Sequence, residues 1–437
     1  MKRGRGRWMF VLGLVLVGCG TAPVTGSTEA GGTAALSSLA VGSSGTLDPA
    51  YGERGVASLE GHRTWLARAL VQSDGQVVMV GHGAKGGQLT SFLRRLTAGG
   101  QPDMAFNDSG ATTFLGTTAM AALQCPQGAN RYNDWGAECQ DPQRIVVARS
   151  SADNDGLTLS RLLPSGQPDP SFGVRGQVAP GLSVGEVLAV LIQSDGKVVV
   201  VGSGGLARFR RGGEADPTFG TNGFAALAVS GWIQDVVMDP AERFLVLTNA
   251  ADGTAARTQV QRLTQTGQPD PGYGTGGQTT LDFGPSGTGQ TLLVLNTGRV
   301  VVGGTGGLWR LLPGGAPDST FGTAGHATLE AADGGDFVIS GLVQDQQNRL
   351  TASVLTSERF APTLQGNLAR FRPNGTLDPS FGSSGLSHVA LCPPCTATNG
   401  LAEFSAVAVL KNGRLLGLGT GGRRSGFSNL IAARMFP

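Results

Sequence analysis

The sequence predicts an all-β fold, a seven-bladed β-propeller of four-stranded blades, from three observations. A short phrase, Asp-Pro-x-aromatic-Gly-x-x-Gly, recurs seven times; the residues between copies have strand patterning; and an Arg stands eight residues before six of the seven Asp. The phrase is cleanest at Asp169-Pro170-Ser171-Phe172-Gly173, Asp216-Pro217-Thr218-Phe219-Gly220 and Asp378-Pro379-Ser380-Phe381-Gly382. Weaker copies start at Asp48, Asp103, Asp270 and Asp318, where Tyr51 and Tyr273 replace Phe, Ser319 replaces Pro, and the Asp103 copy keeps its aromatic, Phe106. Intervals of 47 to 66 residues between successive Asp signal stacked supersecondary units.

Taken from the N-terminus, the chain divides into three parts. Residues 1–18 have a basic start (Lys2, Arg3, Arg5, Arg7) and an apolar run from Trp8 to Val17, the order of a secretory signal and too short to span a bilayer. Leu16-Val17-Gly18-Cys19 resembles a bacterial lipobox, which implies cleavage before Cys19 and lipid on its thiol; the alternative is an ordinary cleaved signal. Gly20 in place of Asp favours the outer membrane, by analogy with enteric sorting. Residues 19–46, rich in Gly, Ser, Thr and Ala, form a flexible tether, and 47–437 form the propeller.

Within the propeller the first predicted strand is Val56-Ala57-Ser58-Leu59. The third unit shows the full pattern: 177–179, then Val187 to Ile192, a Ser194-Asp195-Gly196 hairpin turn, Val198 to Val201, and Leu206 to Phe209. Three strands close the chain, Phe404 to Leu410, Arg414 to Leu418 and Asn429 to Phe436, so the N-terminal strand is expected to complete the last blade as its outer edge. The Arg spacing supports this. Arg95, Arg161, Arg208, Arg262, Arg310 and Arg370 precede Asp103, Asp169, Asp216, Asp270, Asp318 and Asp378 by eight residues, which leaves Arg434 and Asp48, at opposite ends, as the seventh pair. A pair repeated in every blade, such as Arg208 with Asp216 or Arg370 with Asp378, has the character of a structural brace rather than a catalytic group.

At these residues the chain resembles the delta-60 repeat family, whose units carry an Asp-Gly-Lys hairpin, a strand ending in Ala-Arg-aromatic and a Leu-Asp-x-x-Phe-Gly phrase. Here they read Asp195-Gly196-Lys197, Ala207-Arg208-Phe209, Ala369-Arg370-Phe371 and Leu377-Asp378-Pro379-Ser380-Phe381-Gly382, within residues 47 to 437. The resemblance implies a bacterial propeller and no activity that transfers to particular residues.

A formal charge of +2 with 15% charged residues provides no basic field for nucleic acid, and export makes that partner foreign to the protein. The expected membrane contact is the lipid alone, and the expected state is monomeric. An even count of Cys beyond Cys19 favours disulfides, most simply Cys125 with Cys139 and Cys392 with Cys395; the rival for the second pair is a redox couple, whose βαβ setting is missing. The two pairs should emerge on opposite faces, which argues against a four-Cys zinc site. Gly181-Leu182-Ser183-Val184-Gly185 and Gly81-His82-Gly83-Ala84-Lys85-Gly86 match a nucleophile elbow and a dinucleotide fingerprint in spacing, but neither precedes a helix. No metal or cofactor is expected.

One constellation remains. Trp65, Glu186, Trp232, Asp336 and Glu403 stand just before the first inner strands of several units, which a propeller brings to one face around its channel. The plain alternative is that the carboxylates satisfy strand-end amides and the Trp rings cap the core. The sequence thus favours an exported, lipid-anchored binding or scaffold module for an envelope protein or extracellular polymer, with an extracellular hydrolase or lyase acting on a polymer as the alternative.

Overall fold

The computed structural model describes residues 43–59, 64–85, 88–115, 118–124, 132–133, 136–137, 143–150, 156–229, 231–252, 255–329, 337–356, 365–390, 400–423 and 427–437. They form seven four-stranded antiparallel sheets and one small two-stranded ribbon, Tyr132–Asn133 with Gly136–Ala137. The innermost strands of blades 1 to 7 are Trp65–Val71, Thr118–Gln124, Val187–Ile192, Trp232–Met238, Gly289–Val294, Phe337–Gln344 and Gly400–Val409. The lone helical turn among the described residues is a 3-10 turn at Phe106–Asp108. The repeat seen in the sequence is offset by one strand from the blade: Gln177–Val178, which opens the third sequence unit, is the outer edge of blade 2 and pairs with Leu157–Leu162.

Alternating strand residues point to opposite faces of each blade, so both faces are apolar and each must be covered by a neighbour. The buried side chains accordingly fall into seven clusters, one at each seam between consecutive blades. The cluster that closes the ring joins Leu416, Leu418 and Leu430 of blade 7 to Val77, Met79 and Leu96 of blade 1, with Tyr51, Ala57 and Leu59 between them.

Each phrase builds a lock at the seam. The Arg Nε donates to the Asp Oδ2 at 2.7–2.9 Å in all seven pairs. The same guanidinium lies over the phrase aromatic, 4.5–4.8 Å from the ring centre. The carboxylate is held by Nε alone and not by two parallel prongs. In six locks Nη1 instead reaches a turn carbonyl of the next blade, as in Arg208 to Gln265 at 2.9 Å, and in four Nη2 takes the phrase hydroxyl, as in Arg208 to Thr218 at 3.0 Å. Spreading the donors over three acceptors satisfies a buried guanidinium more fully than one carboxylate could.

The far side of each aromatic meets a Gly three residues before the next Asp. Gly166 has φ +87°, and a Cβ there would come within 2.8 Å of the Phe106 ring. Gly45, with φ +82°, takes the same place against Phe381.

Ring closure uses the N-terminus as the Arg count requires. Val56–Leu59 pairs antiparallel with the last strand, Val56 opposite Ala433. Arg434 bonds Asp48 at 2.8 Å, and the Asp48 amide donates to the Arg434 carbonyl at 2.8 Å. Pairing begins before residue 47: Gly45 N–H donates to Phe436 O and Gly382 N–H to Ser44 O, contacts that a single hairpin turn makes elsewhere. Where Leu163-Pro164-Ser165-Gly166 is continuous in blade 2, blade 7 aligns Phe436-Pro437 followed by Ser44-Gly45.

Sequence inspection missed a second cation. Arg144, Arg299 and Arg414, beside the hairpin between the first two strands of their blades, approach Asp169, Asp318 and Asp48 at 3.0, 2.8 and 3.3 Å. Burial pushes the Asp169 carboxyl up, but bonds from Ser171 and the charge of Arg161 outweigh it and hold the pKa at about 2. Asp216, Asp270, Asp318 and Asp378 are also lowered, against the same opposing burial.

Two outcomes are expected. Asp48→Ala leaves two guanidinium groups facing a buried gap and should cost roughly 3–5 kcal/mol, read as a lowered unfolding midpoint in denaturant; an unchanged midpoint would contradict closure by this pair. Because these folded carboxyl values lie below the ordinary 3.8, their stabilisation is complete above that value and is lost as pH falls through about 2. Near-UV circular dichroism should therefore collapse across that acid window.

Candidate functional site

The phrases and first hairpins lie on one face of the ring, and the starts of the inner strands lie on the other. Register anchored on the second-strand residue opposite each locking Arg (Val78, Val146, Val199, Leu245, Val301, Thr351, Leu416) aligns all seven inner strands. In that alignment the rim position holds Trp65, Thr118, Glu186, Trp232, Thr288, Val338 and Glu403. Four of the five rim residues picked from sequence are therefore equivalent. In blade 6 the equivalent is Val338, two residues beyond Asp336, which lies outside the described residues, as do Cys19, Cys125, Cys139, Cys392 and Cys395.

Both Trp side chains are open, Trp65 at 49% and Trp232 at 50% exposure, and so are not core caps. Trp65 is held by what lies behind it. His82, directly across the ladder and buried, meets it edge-on at 5.8 Å and 87°, and its Nε2 donates to the Ala119 carbonyl of blade 2 at 2.9 Å. Burial lowers the His82 pKa, opposed by the Ala119 bond and the charge of Glu186, which places Glu186 within electrostatic reach. On the other side the Leu66 amide donates to the Thr420 hydroxyl at 3.2 Å, and Thr420 pairs with Glu403. Glu403 of blade 7 and Trp65 of blade 1 are thus neighbours on the rim, and Thr118 of blade 2 stands between Trp65 and Glu186 of blade 3. Desolvation raises the Glu403 pKa although its side chain is exposed; exposure is the better guide to availability, because a ligand would approach from the solvent side.

Below the rim, six inner strands carry a β-bulge, among them those between Leu66 and Arg68 and between Ile233 and Asp235. The next ring of equivalent positions is Arg68, Met120, Ala189, Asp235, Thr291, Gly341 and Ala406, with one cation and one anion three blades apart. Asp235 is committed to blade 5: Leu292 N–H donates to its Oδ2 at 2.8 Å and the Thr291 hydroxyl at 3.3 Å. Burial raises its pKa, offset by the Leu292 bond and by the charge of Arg68. Arg68 and Asp235 each stand three residues beyond the Trp of their strand, and the shared bulge carries both to the same ring.

Neither enzyme-like spacing acquires its setting. Gly81 to Lys85 lies inside the second strand of blade 1, and 181–185 is the loop leading into Val187. Among the described residues no group of three His, Cys, Asp or Glu is placed to hold a metal. Cavities of about 270 and 450 Å³ open at the seams of blades 2–3 and 6–7, each lined in part by a locking Arg, Arg161 and Arg370.

Four segments, residues 72–106, 193–219, 295–321 and 356–381, match the family model described as "Domain of unknown function (DUF5122) beta-propeller", each ending at a phrase aromatic. The chain is a repeat-built β-propeller. No curated protein matches it. Among solved structures it resembles an α-L-arabinofuranosidase from Fusarium graminearum (9% identity, 87% of this chain and 97% of that one, TM-score 0.40). A gluconolactonase from Xanthomonas campestris matches at 11% identity over 72% of this chain and 97% of that one, TM-score 0.34. The propeller spans 39% of the extracellular domain of a B. thetaiotaomicron protein assigned to the hybrid two component systems (10% identity, 85% of this chain, TM-score 0.38). These are distant likenesses of architecture.

Since the folded His82 pKa lies below its ordinary 6.5, its contribution to stability is full above that value and lost as pH falls toward the depressed one. Thermal melts of the wild type should show this step as pH falls below about 6.5, and His82→Gln should lack it. A step of equal size in the variant would remove His82 as its source.

Proposed function

We propose that this protein is an exported, lipid-anchored propeller of the delta-60 kind that serves as a binding module at the cell envelope, with the rim of its central channel as the binding face. The observation that carries the reading is the pair of half-exposed Trp side chains, Trp65 and Trp232, at equivalent rim positions of blades 1 and 4. Flat aromatic faces supply large contact area at low entropic cost, and rigid supports reduce that cost further. The rim carboxylates favour binding over hydrolysis. Glu186 of blade 3 and Glu403 of blade 7 are separated by three blades, across the channel, whereas glycoside-type hydrolysis needs its two carboxyl groups about 5–10 Å apart. The N-terminal signal order and Cys19 support anchoring by lipid, and the partner is an envelope protein or an extracellular polymer.

Trp65→Ala with Trp232→Ala should reduce co-sedimentation with purified envelope polymer or capture of envelope protein at least about ten-fold, with stability changed by no more than about 0.5 kcal/mol. Retained binding would sink the rim as the site. Cys19→Ala should abolish incorporation of labelled palmitate and release the protein from membranes; incorporation that persists would refute lipidation at Cys19.

A further inference from the structure

Arg68 is the one cation in the ring below the rim, half-buried in the wall of the channel. Among the described residues it has no hydrogen bond or ion pair, and Asp235, which feels its charge, has its oxygens occupied by Leu292, Thr291 and Val236. The locking Arg side chains show what this chain does with guanidinium groups that serve the fold: every one is bonded to a carboxylate. Arg68 departs from that rule at the place where a ligand entering past Trp65 would arrive, three residues and about 10 Å further along the same strand.

From this geometry we propose that the channel receives a single carboxylate at Arg68, the free C-terminal end of a peptide chain whose preceding residues cross the rim between Trp65 and Trp232. The inference rests on the rim being the binding face. Charge decides between this occupant and an acidic polysaccharide. The rim presents Glu186 and Glu403, so a polymer with a carboxylate on each unit would set further negative charge against them, whereas one terminal carboxylate followed by neutral or cationic residues would not. Arg is suited to the task because its planar fork matches a carboxylate.

The test uses the full chain and an N-acetylated mixed-sequence tripeptide pool, prepared both as free acids and as C-terminal amides, with binding followed by quenching of Trp fluorescence. The free-acid pool should bind at least about ten-fold more tightly than the amide pool. Arg68→Gln should make the two pools equal, with an unchanged near-UV spectrum, and Arg68→Lys should recover part of the difference. Equal binding of both pools to the wild type would overturn the carboxylate site, and the rim reading would still stand if Trp65→Ala removed that binding. Tighter binding of tri-galacturonate than of the free acids would overturn the peptide as occupant, and no quenching by either pool would overturn the proposal outright.

Discussion

Everything in this ring depends on one sandwich, a phrase aromatic held between the Arg of its own blade and a Gly of the next. The Arg supplies charge to one face of the aromatic, the Gly leaves room on the other, and the Asp fixes the Arg. Because the three groups come from two blades, the unit does not stabilise a blade by itself. It stabilises a seam, and seven seams define the angle at which neighbouring blades meet. Tyr51 and Tyr273 do this in place of Phe with the same burial, 1% and 0% exposed, so the ring rather than the hydroxyl is what the position requires.

That dependence explains the arrangement of the ends. A propeller whose last blade lacked its outer strand would expose a sheet edge and leave one seam without a lock. Here residues 45–59 supply both the strand, Val56–Leu59, and the missing half of the lock, Gly45 and Asp48. Closure therefore joins residues that are almost the full chain length apart, with the loop-closing cost met by a whole seam of apolar burial and not by the ion pair alone.

The regularity is confined to the locked face. On the opposite rim the seven equivalent positions carry Trp, Thr, Glu and Val, with no two neighbouring blades alike. The same β-bulge nevertheless recurs in six inner strands, so the backbone is uniform where the chemistry is not. A repeated scaffold with varied side chains at one opening is suited to a site, because substitutions there do not disturb the locks on the opposite face.

Much of this was legible in the sequence. The phrase, its spacing and the eight-residue Arg offset determined the blade number, the strand content and the identity of the closing pair, because each is a local or strictly periodic property of the chain. The Gly three residues before every Asp was equally visible and went unread, since its meaning appears only when the next blade's aromatic lies against it. The rim was readable in part: Trp65, Glu186, Trp232 and Glu403 occupy equivalent places, but blade 6 puts Val338 there instead of Asp336, because pairing with the second strand and not the count from the strand start sets the equivalence. His82 behind Trp65, and Arg68 facing Asp235 across the channel, were decided by tertiary structure alone. The first lies across one ladder of blade 1 and is anchored on blade 2 through Ala119, the second spans the ring, and no sequence spacing encodes which side chains a closed ring turns toward its own axis.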